Sequence, residues 1–288
     1  MNDLLKKCSD LNKIRQKPTL LLLLDEINND CVFELYDLLN GNSFPELDVI
    51  IHTPGGSIEA AFQITKLIRK VAKKVNIIVP YYAKSAGTLI CFGADKIYLS
   101  LLSELGPLDT QILEAQDSGR RYTSALNGFK ALEQVQLHTL ESLDIATKLI
   151  LARSGMKISE AIHLANEFSG QTSGTLYSQL DPKKIGEYAR ALDVGERYGI
   201  LILTRFMGWS DKKASQTVKH FVKNYPSHGF IIDIEELTDL GFPVCETGEV
   251  ELPIIDDIRK SMRNLKNNVI KFIPYVIKET SGETKRKQ

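Results

Sequence analysis

Ser85 stands where an apolar run, Val75 to Val79, gives way to a small-residue turn, Ala83-Lys-Ser-Ala-Gly87, with a helix-like apolar stretch from Ala86 to Phe92 behind it. A strand-turn-helix junction lifts a serine hydroxyl out of the chain and sets it beside backbone N–H groups at a helix start. A second such junction lies upstream at His52-Thr-Pro-Gly-Gly56. There, Gly55 and Gly56 offer backbone donors that can hold the negative oxygen of a tetrahedral intermediate. A serine with a Gly-Gly donor loop is the minimum apparatus for acyl transfer. Each half also has a plain structural reading, since glycines serve tight turns and serine caps helices.

The elements needed to place these residues follow from periodicity. Thr19–Leu24 is a continuous apolar run, the pattern of a strand buried on both faces. Asn29-Asp30 offers a cap to a helix carrying Val32, Phe33, Tyr36 and Leu39 at helical spacing and closed by Gly41. Asp48–His52 reads as a strand. Ser57 caps a helix striped with Ile58, Ala61, Phe62, Thr65, Ile68 and Ala72. Val75–Val79 and Lys96–Leu99 complete a β-α-β-α-β-α-β order, which predicts a mostly parallel sheet with helices packed on it. Beyond Gly106 the texture changes to an exposed loop or hairpin tip at Asp117–Tyr122 and long helical patterns at 127–153, 157–168, 184–206 and 211–224, before Gly229–Ile234 returns to strand. The expected division is a helical lead-in over 1–18, an α/β catalytic core over 19–125, a helical half over 126–250, and an extension over 251–288 with a disordered charged tail.

Composition narrows the function. The chain has 288 residues, 43% hydrophobic and 25% charged, with 36 basic and 36 acidic side chains. That balance supplies no field for nucleic acid or an anionic membrane. The greasiest run, Leu20 to Leu24, stops at Asp25-Glu26, far short of the ~20 apolar residues of a membrane span, and membrane insertion is not expected. Cys8, Cys31, Cys91 and Cys245 are widely spaced and read as reduced thiols of a cytoplasmic protein. No phosphate loop, dinucleotide fingerprint or metal-ligand cluster is present, so neither cofactor nor metal is expected.

Taken together, Asp48-Val-Ile-Ile-His-Thr-Pro-Gly-Gly-Ser57, Ala83-Lys-Ser-Ala-Gly-Thr88, Glu104-Leu-Gly-Pro-Leu-Asp-Thr-Gln111 and Tyr225-Pro-Ser-His-Gly-Phe230 resemble the fold shared by crotonases, the Clp proteolytic subunit and signal peptide peptidase A. The nearest likeness is to the SppA-like family of serine dehydrogenase proteinases. It covers roughly residues 19–112 and thins beyond. The resemblance implies a Clp/crotonase-like α/β fold and a serine endopeptidase acting without ATP on peptides or unfolded protein. It also implies Ser85 as nucleophile, Gly55-Gly56 as the oxyanion loop, and a homo-oligomer.

The activating base stays open. Clp-type enzymes carry a histidine after the next strand, whereas Glu104-Leu-Gly-Pro-Leu-Asp109 has none. SppA-like enzymes use a lysine, which serves once burial lowers its pKa. Lys130, at the start of the long helix, and Lys84, beside the nucleophile, are the lysine candidates. His228, in the C-terminal motif, can fold back to the site. Asp109 and His52 are read as residues that order it. Two other functions compete: a crotonase-like acyl-thioester enzyme, for which Glu59 is the one carboxylate near the donor loop, and a catalytically degenerate assembly module.

Overall fold

The computed structural model describes residues 2–109, 111–116, 119–262 and 268–275, with 111–116 and 119–123 described by their backbone alone. The charged tail expected to be disordered lies outside the described residues.

The chain divides into two compact units. The first comprises residues 1–108, 198–221 and 225–288, so segments from the C-terminal half rejoin the N-terminal α/β region across the ranges drawn from the sequence. Its centre is a six-stranded sheet in the order β10-β1-β2-β3-β5-β9. These strands are β1 (Thr19–Leu23), β2 (Phe44–His52), β3 (Ala72–Val79), β5 (Lys96–Leu99), β9 (Val244–Glu246) and β10 (Val269–Ile273). All pairings are parallel except that of β10 with β1. Every residue of β1 is buried, as its unbroken apolar run requires. Leu21, Leu23, Ile50 and Ile78 face a core built with Leu4, Cys8 and Leu11 of α1 (Asn2–Arg15) and Ile255 and Ile258 of α10 (Leu252–Met262). Strand alternation sends the equally buried Leu20, Leu22, Val49 and Ile51 to the opposite face. Full burial of each such side chain contributes roughly 1.5–3 kcal/mol.

Helices α2 (Asn29–Leu39), α3 (Ile58–Val71) and α4 (Ala86–Cys91) connect these strands. Ser57 caps α3 as expected, its Oγ accepting from the Ala60 N–H, whereas α2 is capped one residue ahead of the expected Asn29-Asp30, by Asn28, whose Oδ1 accepts from the Cys31 N–H. A buried polar knot locks the sheet's rim, where the Arg15 guanidinium bonds the Asp48 carboxylate and reaches Glu251.

A small second sheet does the positioning. β4 (Tyr82–Ala83) pairs in parallel with β6 (Glu104–Leu105). It is widened by single bridges, Thr53 to Ala83 on one side and Leu105 to Ile232 on the other. The same unit contains α8 (Asp211–Lys223) up to Phe221 and α9 (Ile234–Asp239). Phe92 meets Phe221 edge to face and stacks against Phe242, with ring centroids 4.9 Å apart in each pair.

The second unit comprises residues 109–197 and 222–224. It holds the hairpin β7 (Gln111–Gln116) and β8 (Gly119–Ser124), then α5 (Ala125–Ser154), α6 (Ile158–Tyr177) and the start of α7 (Pro182–Arg205). The turn between α5 and α6 is made by Gly155 in the left-handed region, φ 68°. The mostly parallel α/β arrangement and helical C-terminal half agree with the sequence reading. Gly229–Ile234 differs: it contributes one bridge, at Ile232, and the chain enters α9 at Ile234. Asp233 caps that helix by accepting from the Glu236 N–H, which ends any extended run.

Candidate active site

Four segments leave the small sheet at one end: Thr53 runs into Gly55-Gly56, Ala83 into Ser85, and Leu105 into Gly106. The fourth, antiparallel, arrives at Ile232 from His228 through Phe230. All four belong to the first unit. Register follows from hydrogen bonds: Thr53 N–H donates to Tyr82 O at 3.1 Å and Lys84 N–H donates to Thr53 O at 3.0 Å. Leu105 and Ile232 exchange bonds of 3.0 and 3.2 Å.

Ser85 adopts φ 50°, ψ −115°. Among the described residues, Ser85 and Gln16 are the non-glycine positions with positive φ. Such backbone costs on the order of 1–3 kcal/mol and persists where surrounding structure over-determines it. Here Gly87 N–H closes the turn onto Lys84 O at 2.8 Å and Leu89 N–H bonds Ser85 O at 3.1 Å. Ser85 is half-buried, and its Oγ makes no hydrogen bond to any described residue, not even a capping bond to the helix it starts. The hydroxyl is therefore held out of its ordinary local role.

The donor loop lies against it. Gly55 has φ 125° and Gly56 φ 141°. A Cβ at Gly55 would stand 3.0 Å from Ser85 Cβ and 3.1 Å from Lys84 O, so the loop and the serine turn touch backbone to backbone. A Cβ at Gly56 would stand 2.3 Å from Ile27 O, because Ile27 clips the loop with two 2.7 Å bonds, to Gly55 O and from Ser57 N–H. Gly55 N–H is taken by Thr53 Oγ1 at 3.2 Å. Gly56 N–H and Ala86 N–H meet no acceptor among the described residues. Ala86 is fully buried, and a buried N–H without a partner is rare enough to need a reason. Donors placed this way can hold negative charge that develops above Ser85.

Lys84, next to Ser85, turns away. Its Nζ donates to Leu105 O at 3.0 Å and Phe230 O at 3.2 Å, and it pairs with Glu104 at 3.2 Å. Its ammonium thus ties the serine turn to two other segments at the same end of the small sheet. Thr88 Oγ1 reinforces the tie, donating to Ala83 O and accepting from Gly106 N–H at 3.0 Å. Sequence spacing marked Lys84 as adjacent to Ser85 but could not show that its partners lie some twenty and some hundred and fifty residues downstream.

The remaining candidates fall as follows. His228 is two residues before Phe230, whose carbonyl Lys84 holds. His52 is half-buried, its ring 4.0 Å from that of Tyr82, with Nδ1 buried and unbonded. Burial pushes its pKa down to about 4, against smaller opposing effects from the Tyr82 backbone and the Asp25 charge, so the ring is neutral at neutral pH. In the second unit, Asp109 accepts from Ser124 Oγ at 2.7 Å, and Ser124 caps α5. Lys130, in the second turn of that helix, is half-buried and pairs with no described residue. The described residues contain no cluster of three or more metal-ligating side chains and no helix long and apolar enough to cross a membrane.

Comparison with known proteins adds a family. An uncharacterized protein of Methanocaldococcus jannaschii is 28% identical over 236 residues, 82% of this chain and 66% of its own length. A second uncharacterized protein of that organism is 36% identical over 104 residues, 36% of this chain and 34% of its own length. The chain thus spans just under two thirds of the first and about a third of the second. Among solved structures, a ClpP1 variant from Listeria monocytogenes aligns with 86% of this chain and 98% of its own at 14% identity and a TM-score of 0.40. Residues 41–159, which carry the donor loop, the strained serine and the Glu104–Gln111 connector, match the family of ClpP-like, SDH-type serine proteinases.

Proposed function

We propose that the protein is a serine peptidase that hydrolyses peptide bonds in peptides or unfolded protein through an acyl-enzyme on Ser85. The observation that carries this reading is the strained Ser85, its Oγ unbonded, beside two backbone N–H groups without acceptors. Ser85 Oγ attacks the scissile carbonyl and passes its proton to a base. The carbonyl oxygen takes the negative charge and is held by Gly56 N–H and Ala86 N–H. Collapse expels the amine, which receives that proton, and water then releases the acyl group by the reverse sequence.

Two side chains compete for the base. A lysine base is Lys130, half-buried without an ion-pair partner among the described residues. A histidine base is His228, brought by the Leu105–Ile232 bridge to the sheet end where Ser85 emerges. Lys84 is committed to two carbonyls and Glu104 and takes a positioning role. No nucleotide site features in this reading, which makes hydrolysis independent of ATP. Exposed apolar side chains on α5 and α6, including Leu140, Ile145, Ile158 and Phe168, suit a homo-oligomer contact.

A fluorophosphonate probe should label the protein, and Ser85→Ala should abolish both labelling and turnover of a fluorogenic peptide. Continued labelling of the alanine variant defeats the assignment. Saturable turnover of acyl-coenzyme A without peptide cleavage would favour the thioester reading. Of Lys130→Met and His228→Gln, the one that removes the rise of reactivity with pH while leaving the melting temperature intact identifies the base.

A further inference from the structure

The C-terminal ends of β1 and β2 open into a cleft of about 430 Å³ that the reaction above does not use. Its apolar wall includes Leu23, Leu24, Leu102 and Met262, and Tyr81, Tyr82 and His52 add flat aromatic surface. Leu102 is 52% exposed and Tyr81 43% exposed, a good deal of apolar surface left to water at one place.

Two nitrogen groups in this wall are unsatisfied among the described residues. Arg259 lines the cleft with only 14% of its side chain exposed, and its sole polar contact among the described residues is from Nε to Asp256 at 3.1 Å. The terminal amino groups of the guanidinium, four N–H donors in a fixed planar fork, have no partner among the described residues. His52 Nδ1 is buried and unbonded in the same wall. A largely desolvated guanidinium with an open fork is matched by a two-oxygen anion, which it binds through paired, charge-assisted hydrogen bonds. The walls around it call for an apolar or aromatic body. Asp25 also lines the cleft, but it is exposed, and water screens its repulsion of an anion.

We propose that this cleft is a binding site for an apolar carboxylate, its oxygens on the Arg259 fork and its body against Tyr81, Tyr82 and Leu102. That chemistry is offered both by a peptide C-terminus ending in a large apolar residue and by a free small acid. The inference does not rest on the peptidase reading, because no residue of the donor loop's Gly-Gly or of the serine turn contributes to it.

Calorimetric titration of the full chain and of Ser85→Ala with N-acetylphenylalanine, its amide and 3-phenylpropanoate tests it. Both proteins should bind N-acetylphenylalanine equally, and the amide at least roughly 10-fold more weakly, since a charged hydrogen-bond pair is lost. Arg259→Gln should weaken the acid by a similar factor and Arg259→Lys by less. Asp25→Asn should tighten binding a few-fold, a gain that cannot come from a misfolded variant. Equal binding of 3-phenylpropanoate assigns the site to free acids and termini alike; its failure beside N-acetylphenylalanine assigns it to peptide termini. The proposal falls if the amide binds as tightly as the acid, if neither acid binds at millimolar concentration, or if a folded Arg259→Gln retains full affinity.

Discussion

Removing the Lys84 ammonium while keeping an apolar stem of similar length, as in Lys84→Met, separates a clamp from a catalyst. The substitution strands the carbonyls of Leu105 and Phe230 and leaves the Glu104 carboxylate without its cation. Lys84 and Glu104 are each 14% exposed in their side chains, so water reaches them only in part. Removing one partner of a fully buried pair costs about 3–5 kcal/mol, and the residual exposure puts the present case near the bottom of that range, about 3 kcal/mol. Against a typical domain stability of about 5–15 kcal/mol, this is a large fraction. Urea unfolding should show the loss as a lower midpoint with an unchanged slope. In a Glu104→Gln background the same substitution should cost about 1 kcal/mol less, since the stranded charge is gone. Fluorophosphonate labelling, measured where both proteins are folded, should fall because the Ser85 turn loosens, and it should fall less than in Ser85→Ala. Wild-type stability for Lys84→Met refutes the clamp. Wild-type stability with labelling abolished goes further and makes the ammonium a participant at Oγ.

Three further outcomes follow from named geometry. Gly56→Ala places a methyl 2.3 Å from Ile27 O, whereas Gly41→Ala, at φ 78°, meets nothing within 4 Å; the first should cost about 3 kcal/mol or more and the second about 1 kcal/mol by urea melts. Equal costs would show that the Ile27 clip is not tight. Ser85→Gly should be more stable than Ser85→Ala by about 1 kcal/mol, since glycine accepts φ 50° without strain; a less stable glycine variant would mean the backbone there is relaxed. His52 has its pKa lowered from 6.5 to about 4, so as pH falls through that window the unfolded chain takes up the proton first. Stability is therefore intact above pH 6.5 and declines toward pH 4, by on the order of 2 kcal/mol once residual solvation of the half-buried ring is allowed for. His52→Gln should flatten that part of the midpoint-versus-pH curve, and an unchanged curve would show the ring protonates freely in the fold.

Much of the N-terminal α/β half was legible because its signals are local. The unbroken run Thr19–Leu24, the cap at Ser57 and the small-residue turn at Ser85 each act within one element, and the parallel order follows from their alternation. The site's long-range ties were not legible. Nothing near Lys84 announces that its ammonium ends on Phe230 O, because that contact depends on the bridge from Leu105 to Ile232. The pairing of β10 with β1 was likewise invisible, since neither strand's pattern names its partner. One miss was avoidable: Asp233-Ile-Glu-Glu236 is a capping signature, and it shows that the chain turns helical at Ile234.

The antiparallel seam between β1 and β10 also bears on how the chain is made. Leu20 to Leu23 find their parallel partner in β2 early in synthesis, but their other edge waits for Val269 to Phe272. Until those residues leave the ribosome, an almost purely leucine strand presents open hydrogen-bonding groups along one side, the arrangement that recruits strands from other chains. Closing it late is a high-contact-order step and therefore a slow one. A chain cut just before Val269 should retain every residue of the serine site yet aggregate in proportion to its concentration, so the last strand acts as the cover on an edge that the first strand cannot protect by itself.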